Sequence, residues 1–115
     1  MRALVVFHDH GAHWASPALK RGFRHVFCAV ESGDYWILFD PRDGRPVIEV
    51  VAPEGYDLAT FYRAEGYSVK EIGIEAATSP IRWPYFWANC VGAVKAVIGL
   101  RAPLVVTPHQ LYRRL

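Results

Sequence analysis

Two runs rich in Val, Phe, Tyr, Trp and Ile, Phe23 to Glu31 and Tyr35 to Asp40, are separated only by Ser32-Gly33-Asp34. A link this short can join only antiparallel neighbours, because a parallel pair needs a crossover of a dozen residues or more. A third such run, Val47 to Val51, follows the turn-forming segment Pro41-Arg42-Asp43-Gly44-Arg45-Pro46. The chain is therefore committed to a β-meander, and every other element must pack around it.

The remaining elements read as follows. Ala3 to Phe7 is a short buried strand. Ser16-Pro17 pairs an N-cap with proline at the first helical position, which predicts one or two helical turns to about Arg21. Tyr56 to Glu65 reads as a helix with Asp57 near its start and Gly66 past its end. Tyr67 to Glu75 reads as a strand, at an edge or half exposed, and Ala76 to Ala88, with Pro80 and Pro84, as an irregular loop. Asn89 to Ile98 is a helix apolar nearly all round, which predicts burial, and Gly99 ends it. Pro103 to Val106 reads as a short extended piece. Thr107-Pro108-His109-Gln110 is a capping box opening a final helix of about two turns. Strands and helices are segregated rather than alternating, so the predicted class is α+β.

The chain has 115 residues, which predicts a single domain over residues 1–115. With 52% hydrophobic and 21% charged residues, disorder is excluded as a class. The formal charge of +2, with Arg113 and Arg114 as a weak basic end, gives no strong nucleic-acid signal. No apolar stretch approaches the ~20 residues of a membrane span. The start, Met1 to Phe7, is apolar like a signal peptide, but His8-Asp9-His10 interrupts it too early for an export signal. The expected location is the cytoplasm of the producing cell or a virion.

Cys90 is the strongest chemical candidate. It follows a segment dense in aromatics, Trp83-Pro84-Tyr85-Phe86-Trp87, and Asn89 is a candidate N-cap that puts Cys90 in the first helical turn. There the unpaired N–H groups and the helix dipole favour a thiolate. A cysteine in an apolar helix is most often plain core, but this one sits at the helix start rather than in its middle. Cys28, inside an apolar strand, is core. A Cys28–Cys90 disulfide is allowed by the count alone; nothing else suggests a disulfide scaffold.

A thiol nucleophile needs an imidazole to move its proton and a third polar group to orient that imidazole. His25 opens the second strand and is the candidate base. If the hairpin closes tightly over Gly33-Asp34, Ser32 faces Tyr35 and Phe27 faces Asp40. Asp40 then shares a face with His25, one pair further along, at a diagonal of ~7–8 Å that side chains can bridge. A slip of one residue would turn it away. Trp83, Tyr85 and Trp87 are the candidate substrate-binding residues, with ordinary packing as the alternative role for that cluster.

His25 opening a β-hairpin, with Cys90 later on a buried helix, resembles the circularly permuted papain-like fold, whose members include permuted relatives of the NlpC-type cell-wall peptidases and the lecithin retinol acyltransferase-like enzymes. In the unpermuted family the cysteine helix precedes the histidine strand. The segments Arg24 to Val30, Asn89 to Lys95 and Thr107 to Tyr112 also resemble small proteins encoded by bacteriophages and prophages. The likeness spans roughly Gly22 to Leu115. It implies Cys90 as nucleophile, His25 as general base and Asp40 as the orienting residue. It further implies a small thiol hydrolase cleaving an amide bond, with peptidoglycan peptide as substrate and a virion-associated setting. The Asn-Cys pair is similar to the acyltransferase branch, although the residues after it depart from that pattern, so peptide, amide and lipid ester all stay open as substrates. The alternative is a non-enzymatic virion or tail component that keeps the scaffold and contacts other virion proteins.

Two further histidine groups stand outside this set. His8, Asp9, His10 and His13 have a His-x-His spacing that zinc can use, but histidines this close in a loop are usually exposed to solvent, so no metal and no cofactor is expected. His109, in the first turn of the last helix, reads as a surface residue and is the second choice as base. A nucleic-acid binder using the aromatic segment and the terminal arginines ranks last.

Overall fold

The computed structural model describes residues 1–9, 19–42, 45–74, 90–102 and 104–115. The elements are β1 (Arg2–His8), β2 (His25–Ser32), β3 (Tyr35–Arg42), β4 (Arg45–Pro53), α1 (Leu58–Ala64), β5 (Ser68–Gly73), α2 (Cys90–Ile98) and α3 (Pro108–Arg114). The strands form one antiparallel sheet in the order β4-β3-β2-β1-β5. The α+β class and the meander β2-β3-β4 follow the sequence expectation.

The first hairpin closes as its turn chemistry demands. Ser32 pairs with Tyr35, and Gly33 takes φ 62° in the two-residue link, a conformation open to glycine without steric cost. In the second hairpin pairing continues through Pro41–Pro46 to Arg42–Arg45, so this turn is much tighter than the six-residue segment expected from its prolines.

The central strands are apolar on both faces because helices cover both. Leu4 and Val6 of β1, Phe27 and Ala29 of β2, and Trp36 and Leu38 of β3 pack against Leu58, Ala59 and Tyr62 of α1. The intervening residues Val5, Phe7, Val26 and Cys28 pack against Cys90, Val91 and Val94 of α2 and Leu111 of α3. Period-2 alternation thus sorts one run of residues into two cores. The buried helix carrying Cys90 lies where its composition placed it. The second helical cover, α1, begins at Asp57, whose carboxylate accepts the Thr60 N–H as an N-cap.

β5 is an edge strand and half exposed, as its mixed composition predicts. The capping box of α3 is present: the Thr107 hydroxyl accepts the Gln110 N–H and the Gln110 side chain accepts the Thr107 N–H. The stretch before it is not extended as expected. The Val105 N–H donates to the Ala102 carbonyl, closing a turn, and Lys95 Nζ donates to the carbonyls of Ala102 at 2.9 Å and Val105 at 2.7 Å. An ammonium bonded to both carbonyls holds this chain against α2, an outcome local propensity does not contain. The expected helix from Ser16 falls largely outside the described residues; at its end, the Phe23 N–H donates to the Lys20 carbonyl in a turn. Among the described residues no helix is long and apolar enough to cross a membrane.

Candidate active site

Tight closure of the first hairpin sets a β2–β3 register that runs from Ser32–Tyr35 to Cys28–Phe39; continued past that pair, it would set Phe27 opposite Asp40 and His25 opposite Arg42. His25, the first residue of β2, and Asp40, on β3, therefore sit diagonally on one face. Their side chains meet: His25 Nε2 lies 2.6 Å from Asp40 Oδ1, with both residues buried. The second carboxylate oxygen, Oδ2, accepts from Arg42 Nε at 2.9 Å.

The thiol comes from the other core. Cys90 is the first residue of α2 and belongs to the cluster with Val26 and Cys28, whereas Asp40 alternates with Leu38 and Trp36 of the α1 face. His25 joins the two because it stands at the end of its strand. It bonds Asp40, and the Cys90 thiol lies close enough to act on its titration.

The electrostatics favour a charged imidazole. Burial opposes the imidazolium, but the hydrogen bonds to Asp40 and Cys90 and the attraction of both outweigh it and raise the His25 pKa to about 9. Asp40 shows the mirror image: burial would raise its pKa, and the bonds from His25 and Arg42 pull it below the usual carboxylate range. Cys28, fully buried nearby, has its thiol pushed up to about 12 by burial and then by the Asp40 charge. Both cysteines are free, so the disulfide allowed by the count is not formed.

The structure therefore brings together Cys90, His25 and Asp40. Trp83, Tyr85 and Trp87, along with Asn89, His10 and His13, lie outside the described residues. His8 corrects the expectation of exposure. It is 9% exposed, pairs with His25 across β1 and β2, and sets its ring 5.1 Å from the His25 ring and 4.8 Å from Tyr67. Among the described residues no three His, Cys, Asp or Glu side chains are grouped to hold a metal. His109, the second-choice base, lies elsewhere, with its ring 5.0 Å from Phe23 and its Nε2 3.3 Å from Lys20 Nζ. Desolvation, then Lys20 and Arg113, lower its pKa.

Sequence reasoning missed two participants. In the sequence Arg42 reads as part of a turn; once β3 is extended to include it, the i, i+2 spacing from Asp40 puts both on one face. His8 was read as a loop residue, although it closes β1 and its partner in the ladder is His25.

A Cys–His–Asp grouping holds the residue types that an activated thiol requires. No protein-family model matches the chain, and no curated protein or solved structure gives a significant match.

Proposed function

We propose that this protein is a small thiol hydrolase, a cysteine peptidase or amidase of circularly permuted papain-like architecture. The observation that carries the reading is the buried His25–Asp40 bond with the Cys90 thiol acting on the same imidazole, a grouping that draws on three elements. A purely structural histidine has no need of a thiol on one side and a buried carboxylate on the other.

In this reading the Cys90 sulfur attacks the carbonyl carbon of an amide, with His25 carrying the thiol proton. The carbonyl electrons move onto oxygen, and N–H groups in the first turn of α2 supply part of the oxyanion hole. The C–N bond then breaks, His25 gives its proton to the leaving amine, and a thioester to Cys90 remains. Water, losing a proton to His25, attacks the thioester; the carboxylic acid departs and the thiol is restored. Asp40 stabilises the imidazolium throughout and fixes its orientation. Peptidoglycan peptide in a phage-associated setting is the proposed substrate, on the resemblance described above, and Trp83, Tyr85 and Trp87 are its proposed binding residues.

One observation favours the alternative of a non-enzymatic virion or tail component: Cys90 is only 8% exposed. The two are separated by measuring Cys90 alkylation across pH in the wild type and His25→Ala, followed by turnover of peptidoglycan stem peptides. A thiol whose reactivity depends on His25, with cleavage lost in Cys90→Ala, supports the hydrolase. Alkylation of Cys90 that ignores His25 supports the scaffold.

A further inference from the structure

We propose that Arg42 is a positioning residue: its guanidinium Nε holds Oδ2 of Asp40 so that Oδ1 stays on His25 and the imidazole stays turned toward Cys90. The inference rests on the hydrolase reading and extends it by one residue.

The argument starts from the freedom of an aspartate. Its terminal torsion is broad, so one bond to His25 does not fix the plane of the carboxylate. The Asp40 side chain is 6% exposed, and its two oxygens point to two different partners, His25 Nε2 at 2.6 Å and Arg42 Nε at 2.9 Å. Two bonds from opposite sides define the plane that one leaves free. The rest of the Arg42 side chain is not part of this core: it is 64% exposed. Its charge is therefore largely screened by water, and what reaches the buried site is the directional N–H. An exposed ion pair ordinarily contributes little; this one differs because its acceptor is buried and is shared with the imidazole. The other groups around His25 are Cys90 on α2 and His8 on β1, with Tyr67 beyond His8.

The test compares the wild type, Arg42→Gln, Arg42→Lys, Asp40→Asn and the double variant Asp40→Asn/Arg42→Gln in the full chain. One readout is the titration midpoint of His25 by heteronuclear NMR with labelled histidine. The other is the rate of Cys90 modification by iodoacetamide at neutral pH. In Arg42→Gln the His25 midpoint should fall by roughly one pH unit, a ten-fold loss of imidazolium stabilisation. Cys90 modification should slow in parallel, Arg42→Lys should recover part of both, and Arg42→Gln should add nothing in the Asp40→Asn background. An unchanged midpoint overturns the proposal. So does a raised one, which would make the guanidinium a mere positive charge opposing the imidazolium, and so does an undiminished effect in the Asp40→Asn background. The hydrolase reading fails separately, if His25→Ala leaves Cys90 as reactive as in the wild type.

Discussion

Nε2 of His25 and Oδ1 of Asp40 lie 2.6 Å apart although 15 residues separate them in the chain. The contact exists because a two-residue hairpin link sets the register of β2 and β3, and one residue more or less in that link would send Asp40 to the opposite face. The Cys90 thiol, carried in by α2, acts on the same imidazole.

Cys90 reacts with iodoacetamide in the folded protein and Cys28 does not. Cys28 is 0% exposed with its thiol held up to about 12, while Cys90 acts on an imidazole. Peptide mapping by mass spectrometry at neutral pH reads both sites at once. Equal labelling of the two would remove the basis for a nucleophile at Cys90.

The pH dependence of stability has a defined sign. His25 titrates at about 9 in the folded protein and near ~6.5 unfolded, so its stabilising contribution is complete below ~6.5 and is lost as pH rises through about 9. Asp40, with its folded pKa lowered, contributes above ~3.9 and loses that contribution as the solution is acidified through its folded pKa. Denaturant unfolding of the wild type and His25→Ala should show the gap between them narrowing from pH ~6.5 to above 9. A gap independent of pH over that range would contradict the paired imidazolium. If the protein is a hydrolase, the alkaline limb of its activity falls near 9 for the same reason.

Asp40→Asn keeps the fold and weakens the chemistry. An amide can still bond to the imidazole but carries no charge to stabilise its protonated form. Turnover should drop on the order of ten-fold or more, and the His25 midpoint should fall. Asp40→Ala, which strips a buried charged partner, should instead cost about 3–5 kcal/mol of stability. Ser32→Ala, at the exposed hairpin turn, should stay within about 0.5 kcal/mol of wild type. Full activity in Asp40→Asn would remove Asp40 from the site.

Lys95→Met keeps the length of the side chain and removes two hydrogen bonds, to Ala102 and Val105. Leaving those carbonyls without their charged donor should cost about 1–3 kcal/mol. Thermal melts measure it, and an unchanged melting temperature would show that the turn before α3 holds without this side chain.

Much of the frame was legible before any coordinates. Ser32-Gly33-Asp34 dictated the hairpin and its register, and through that register the neighbourhood of His25 and Asp40. The apolar stretch from Cys90 to Ile98 announced a buried helix, and Thr107-Pro108-His109-Gln110 announced the cap of α3. These are local signals: turn geometry, capping and periodicity act over a few residues, and a linear sequence records them directly.

What stayed hidden is what depends on distant parts of the chain. Arg42 looked like a turn residue because Pro41 and Pro46 flank its segment, yet pairing with β4 keeps it in the strand and beside Asp40. His8 looked like a loop residue until the β1–β2 ladder set it opposite His25. Lys95, a charge in an apolar helix, found its acceptors in carbonyls that only the packing of the following turn brings within reach. The meeting of Cys90 with His25 is of the same kind. Composition could nominate a helix-start cysteine and a strand-start histidine, but the sheet order and the docking of α2 decide that thiol and imidazole come close enough to act on one another, because they stand on elements the chain brings together only on folding.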